Sequence, residues 1–231
     1  MRPLAILAAL ALLATPSYAQ SAPAPDLAAR RSGIAVYLGG GWGVASGGIS
    51  EGGTIGAGSG GIAYERPFGG RNSWRVELST SNVSADIGLT GDIFVLPSTL
   101  VLLRSGIGVS ARRYGTRGLF ASAGAVMRFT YDCWVDQEGG PGFLGGESIE
   151  CEDMTDPVIT PESPTPAVTL SGGAQRGRWE LEIRYEHSFG TSVRSDAGTG
   201  SARSLLALVH YRFGRSTEEA TRRRAKVFPS R

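Results

Sequence analysis

The residues able to do chemistry in this 231-residue chain fall into three groups. The first is a set of charges spaced two apart. Glu180, Glu182, Arg184 and Glu186 alternate with Trp179, Leu181, Ile183 and Tyr185, and Arg75 and Glu77 alternate with Trp74, Val76 and Leu78. His210 and Arg212 are spaced between Val209, Tyr211 and Phe213, and Arg128 lies between Met127 and Phe129. Carboxylates and guanidinium groups so placed can form ion pairs, line a conduit or move protons. The second group is His187-Ser188, a base next to a nucleophile. A base must lie within hydrogen-bond reach of the hydroxyl it activates. Neighbours in a strand point to opposite faces, so Ser188 shares a face with Glu186 and not with His187, and the pair makes a poor dyad. The third group is the stretch 132–165, with nine Asp and Glu, no Lys or Arg, and both cysteines. Hard cations such as Ca²⁺ prefer oxygen clusters of the kind Glu150, Glu152, Asp153 and Asp156 would offer. The EF-hand spacing is absent, however, and neither a metal nor a cofactor is assigned. Cys133 and Cys151 have no nearby His and read as a disulfide of an oxidising compartment. Closing a loop of that size is worth about 3 kcal/mol in the chain-entropy model.

The start of the chain agrees with such a compartment. Arg2 precedes the apolar run Leu4–Ala14, and Ser17-Tyr18-Ala19 fits a small-x-small cleavage site, the pattern of a secretory signal peptide over residues 1–19. Residues 20–32 then form a short linker. No later segment reaches the roughly 18 uninterrupted apolar residues of a membrane helix. Glycine supplies 34 of the 231 residues, about twice ordinary usage, which with the shortage of helical periodicity points to β-structure. The formal net charge of +2 conceals an asymmetry, because residues 214–231 carry six basic residues against two acids. This basic tail suits anionic headgroups or the cell wall. Nucleic acid is not an expected partner in this compartment.

The elements that must position the charges are strands. Period-2 alternation predicts them over Ile34–Val44, Trp74–Ser79, Leu119–Thr130, Trp179–Glu186 and Arg203–Phe213, with weaker signals over Thr54–Glu65 and Ala167–Gln175. Asp92–Arg104 is apolar on both faces and contains Pro97, which cannot donate to a ladder. Its start is therefore placed either at Asp92 or just past the proline. Connectors 66–72, 105–116 and 176–178 read as the shorter ones. Connectors 45–53, 84–91, 132–165 and 189–201 read as longer and polar. About eight strands joined in this way predict an all-β fold, an eight-stranded antiparallel up-and-down transmembrane β-barrel over 33–213. The bilayer offers backbone groups no water, so a spanning sheet must close on itself. Aromatics give a second signal. Tyr64, Trp74, Trp179, Tyr211 and Phe213 fall at one end of the strands, and Trp42, Phe129 and Tyr131 at the other, as two interface belts would.

With these residues in place, the chain resembles the small outer-membrane β-barrel superfamily, OmpA/OmpX-like and including opacity-type surface proteins. The resemblance rests on the signal peptide, on Trp179-Glu180-Leu181-Glu182-Ile183-Arg184-Tyr185, and on Leu205-Leu206-Ala207-Leu208-Val209-His210-Tyr211-Arg212-Phe213. It covers roughly 33–213. It implies the outer membrane of a Gram-negative-type bacterium, contact with outer-membrane lipid, and recognition of the terminal aromatic strand by the barrel-insertion machinery. Arg75, Glu77, Arg128, Glu180, Glu182, Arg184, Glu186, His210 and Arg212 are then expected in a lumen just wide enough for side chains to fill. Paired with one another, and beside inward Leu206 and Leu208, they read as a plug. The expected function is structural or surface interaction, with loop 132–165 meeting an extracellular partner. The alternatives are a narrow conduit for small solutes, a lipid A deacylase-like enzyme, and a soluble lipocalin-like binder.

Overall fold

The computed structural model describes residues 33–47, 54–90, 95–115, 118–137, 147–154, 158–195 and 198–213. The expected signal peptide (1–19), linker (20–32) and basic tail (214–231) lie outside the described residues, as does Asp156. Eleven strands follow in chain order: β1 (Gly33–Gly47), β2 (Thr54–Gly69), β3 (Asn72–Thr90), β4 (Val95–Tyr114), β5 (Leu119–Gln137), β6 (Glu147–Glu150), β7 (Ile159–Pro161), β8 (Thr165–Arg176), β9 (Trp179–Ser188), β10 (Val193–Ser195) and β11 (Gly198–Phe213). Eight long strands pair antiparallel in the order β1-β2-β3-β4-β5-β8-β9-β11, and β11 pairs back onto β1 from Ile34↔Phe213 to Gly47↔Gly200. The sheet is thus a closed up-and-down barrel without free long edges, so its backbone donors and acceptors are met within the ladder.

The tight turns lie at the end of the barrel that holds Gly33 and Phe213. β8 and β9 are joined by Gly177 and Arg178 alone, and Gly177 has φ +62°, the left-handed region that glycine adopts without strain. We call this the turn end and the opposite one the loop end. At the loop end β7, β10 and β11 form a small antiparallel extension, and β6 pairs with β5.

Three sequence expectations require correction. Residues 105–114 are not connector but the second half of β4. Their outward face is Ile107, Val109 and Ala111, while the inward face is mostly Gly106, Gly108 and Ser110, small residues that blur the alternation. The interval 132–165 is not one loop, because β5 runs on to Gln137 and β6 and β7 lie within it. The strand around Pro97 is described from Val95 and so includes the proline rather than starting past it. Pro97 pairs with Gly88 of β3, whereas the ladder to β5 begins one residue later at Ser98↔Gln137.

One irregularity governs the loop end. Arg104 pairs with Thr130 but Leu103 pairs with Asp132, so Tyr131 is an extra residue, a β-bulge in β5. Before it the odd-numbered residues Leu119 to Tyr131 tend to face outward. After it Cys133 and Val135 are buried inside and Asp132 and Asp136 are exposed.

Candidate functional site

The barrel interior near the turn end is a network of buried ions. β9 contributes Glu180, Glu182, Arg184 and Glu186; β3 Arg75 and Glu77; β4 Arg104 and Arg112; β5 Arg128; β11 His210 and Arg212; and β2 Glu65. The strand period alone places them there, since residues two apart share a face.

Glu180 is the hub. Its Oε1 accepts from Arg112 Nη1 at 2.7 Å and Arg75 Nη1 at 3.2 Å, and its Oε2 from Arg212 Nη2 at 2.9 Å. Glu182 accepts from Arg112 Nη2 at 2.5 Å and Arg184 Nε at 2.8 Å. Arg184 reaches back to Glu77, with both Nη atoms 3.0 Å from its carboxylate. Arg128 meets Glu186 through two parallel bonds, Nε to Oε1 at 2.9 Å and Nη2 to Oε2 at 2.5 Å, the bidentate form that fixes geometry. Its remaining Nη1 donates to Ser79 Oγ at 2.6 Å. Gly106 makes room for this, since a Cβ there would come within 2.5 Å of that same Nη1. Arg75 Nη2 lies 2.9 Å from His210 Nδ1. A guanidinium only donates, so Nδ1 is the acceptor and the imidazole proton sits on Nε2, which is 3.1 Å from Glu182 Oε2.

Four members of the network were not among the sequence candidates: Glu65, Arg104, Arg112 and Tyr114. Glu65 accepts from Tyr114 Oη at 2.7 Å and also from Ser73 and Arg212. Arg112 and Tyr114 fall in the stretch taken for a connector. The signal that could have found them is the inward phase shared by Gly106, Gly108, Ser110 and Arg112. Arg112 also lies over the Phe120 ring, 4.2 Å from its centroid, and Arg75 and Arg184 each sit 5.5 Å from the Tyr37 ring centroid.

Glu180, Glu182 and His210 offer ligand atoms within 4.8 Å of one another, the one such grouping of metal-ligand types among the described residues. Both carboxylates already carry guanidinium partners on both oxygens, so the cluster reads as part of the ion network. Glu150, Glu152 and Asp153 are exposed at the loop end and do not form such a grouping. His187 is half-buried on the outer face and Ser188 is buried on the inner one, so they do not form a nucleophile–base pair.

At the loop end the interior changes character. Leu100, Leu102, Cys133, Val135, Cys151, Met154, Ile159 and Val193 form one apolar cluster. Cys133 and Cys151 are disulfide-bonded with Cα atoms 5.5 Å apart, which fastens the segment after β6 to the inner face of β5. The outer surface changes in the opposite sense. Between the turns and the bulge it is apolar, with Leu38, Ile183, Leu181 and Val209 exposed, although β3 above Leu78 shows Thr80 and Asn82. Beyond the bulge it carries Asp132, Asp136, Glu150 and Glu152. Aromatics cluster at the turn end. Tyr64 and Trp74 meet edge to face at 5.6 Å, Trp179 and Tyr211 at 5.0 Å, and Tyr211 and Phe213 at 5.2 Å. Trp42, Phe129 and Tyr131 are exposed nearer the bulge.

No family model and no curated protein matches the chain. Among solved structures, the chain is similar to neisserial surface protein A, at 14% identity and a TM-score of 0.43, over 79% of this chain and 99% of that one. It is also similar to the attachment invasion locus protein Ail of Yersinia pestis in complex with the heparin analogue sucrose octasulfate, at 10% identity and a TM-score of 0.40, over 79% and 99%. A further structure of Ail gives 12% identity and a TM-score of 0.38 over the same shares.

Proposed function

We propose that this chain is an outer-membrane barrel of a Gram-negative-type envelope, a rigid scaffold that displays an acidic, disulfide-stapled rim to partners outside the cell. One observation carries the reading. Side-chain polarity shifts along the barrel axis at the β5 bulge: below it the outer face is largely apolar and the lumen holds the ion network beside apolar Leu206 and Leu208, and above it β5 and β6 show acids outside while the inner cluster is apolar. A single aqueous solvent gives no cause for such a shift. A barrel that leaves hydrocarbon for water at that height does, because lipid-facing positions must be apolar and the remaining polar groups must find partners in the lumen. Strand length agrees. A spanning strand needs about 9–11 residues, and β3, β4 and β5 have 19, 20 and 19, so the sheet continues well past a bilayer.

In this reading outer-membrane lipid contacts the apolar band and its aromatic rings. The terminal strand ending at Phe213 is what the insertion machinery reads. Asp132, Asp136, Glu150, Glu152 and Asp153 face the medium, where a cationic partner would meet them. Paired ions and the apolar cluster favour a plug over a conduit.

The test compares boiled and unboiled samples of membrane fractions by gel mobility. A mobility shift on boiling, with the protein in the outer-membrane fraction, is the expected result. A soluble periplasmic protein without the shift would overturn the membrane reading. Planar-bilayer recordings decide the second point, since steady conductance would replace the plug by a conduit. Protease added to intact cells should cut within 132–165, and cutting only after lysis would reverse the orientation.

A further inference from the structure

Arg104 differs from the other buried arginines. It is 2% exposed, yet its Nε and Nη1 have no hydrogen-bond partner, and its one carboxylate contact is Nη2 to Glu186 Oε1 at 3.9 Å. That carboxylate is already occupied, because Arg128 holds both of its oxygens. Two buried arginines, Arg104 and Arg128, thus share one buried carboxylate, Glu186. A guanidinium cannot give up its charge. An unpaired one sealed from water costs several kcal/mol.

Two further inward hydroxyls, on β3 and β9, are orphan groups among the described residues. Ser81 is the direct partner of Arg104 across the β3–β4 ladder, and the Ser81 hydroxyl has no partner. Ser188 is two residues beyond Glu186 on the same face of β9, is 2% exposed, and its hydroxyl is likewise unpartnered. On the loop side the next inward residue of β4 is Leu102, part of the apolar cluster. On the turn side lies the Arg128–Glu186 pair. The Arg104 guanidinium therefore lies between hydrocarbon above and a satisfied ion pair below.

We propose that the lumen of this barrel holds a small inorganic monoanion, of the halide class, bound by Arg104 with the hydroxyls of Ser81 and Ser188. Water would satisfy the donors but not the surplus charge. A halide does both, since it accepts from N–H and O–H in any direction and needs no room for a tail in a lumen just wide enough for side chains. The bound ion completes the charge balance at the floor of the apolar cap. The inference rests on the closed fold and its interior and is independent of the compartment in which the barrel resides.

The test uses the full chain folded in detergent and crystallised in sodium bromide. The expected result is an anomalous bromide peak within hydrogen-bond distance of Arg104 and of at least one of Ser81 and Ser188, absent in Arg104→Gln. Solution measurements should agree. At constant ionic strength, exchanging gluconate for chloride should raise the folded-to-unfolded ratio about tenfold per tenfold rise in chloride above saturation, with Ser81→Ala needing more chloride and Arg104→Gln showing no response. If Arg104→Gln does not fold, the wild-type chloride response and the Ser81→Ala shift still decide. A bromide-containing crystal with no peak at Arg104 overturns the proposal, as does a carboxylate from residues 48–53 or 196–197 seated on that guanidinium. A peak that persists in Arg104→Gln, without any chloride response, marks an adventitious ion only and also overturns it.

Discussion

The two halves of this barrel exclude water from the same lumen by opposite means. Toward the turns, Glu180, Glu182, Arg112 and Arg184 fill the space with hydrogen-bonded charge. Toward the loops, Leu100, Leu102, Val135 and Ile159 fill it with hydrocarbon, and one disulfide fastens the lid. β3, β4 and β5 run through both regions, so the backbone does not dictate the choice. In the proposed membrane reading, what differs is the medium that the outer face meets. In the apolar band most outward positions are taken by residues such as Ile183 and Val209, with Thr80 and Asn82 as exceptions, and the ion network turns inward and is paired. Above the bulge the outer face is free to be acidic, and burial of apolar surface drives the inner cluster as in a soluble protein. The bulge at Tyr131 switches from one arrangement to the other without adding a loop.

Substitutions can break this contrast, and the largest effect is expected at the ionic hub. Glu180→Ala leaves Arg75, Arg112 and Arg212 facing an empty position and should cost about 3–5 kcal/mol, the range for removing one partner from a buried ion pair. Urea unfolding from lipid vesicles reads this. Glu180→Leu combined with Arg112→Met should recover much of the loss, because a well-packed apolar pair replaces a buried ionic one at little cost. A further loss with the double variant would mean that the turn-side interior needs its charge. Replacing Cys133 and Cys151 by serine should remove about 3 kcal/mol from the cap, while the boiling-dependent mobility of the barrel persists and protease cuts faster within 132–165. Loss of the mobility shift as well would show that the two halves fold as one unit.

The outer surface offers the next test. Ile183→Arg, in the apolar band, should cost about 2–4 kcal/mol, whereas Asp136→Arg, beyond the bulge, should cost close to nothing by the same measurement. Equal costs at the two sites would remove the solvent boundary from the bulge. The smallest effect is expected at the turn-end aromatics. Tyr211→Leu keeps apolar bulk and loses the edge-to-face contacts with Trp179 and Phe213, worth about 0.5–1.5 kcal/mol.

Much of the architecture was legible before the fold was known. Alternation over Trp179–Glu186 and Arg203–Phe213, with turn residues such as Gly177-Arg178 between strands, is enough to write down about eight antiparallel strands. Closure then follows from the need to leave no edge unpaired. Less was legible where small residues stand in for a strand face. Gly106, Gly108 and Ser110 concealed half of β4 and with it Arg112 and Tyr114. A stretch of Gly, Pro and acids concealed β6 and β7. The proline in β4 suggested a break, but β4 runs through it and Pro97 pairs with Gly88 of β3.

The period of two, which belongs to the chain itself, determines the face on which each side chain stands, and so separates Leu181 and Ile183 from Glu180 and Glu182. It says nothing of who stands across the lumen. Arg75 and Glu180 are 105 residues apart in the chain, and Glu65 and Arg212 are 147 apart. Their meeting depends on the register that barrel closure imposes on strands distant in sequence. The same holds for the extra residue at Tyr131, which turns Cys133 inward toward Cys151, and for the isolation of Arg104, whose expected carboxylate is taken by Arg128. Local periodicity is a property of one strand, whereas pairing, surplus charge and the site of the polarity switch arise only when eight strands share one interior.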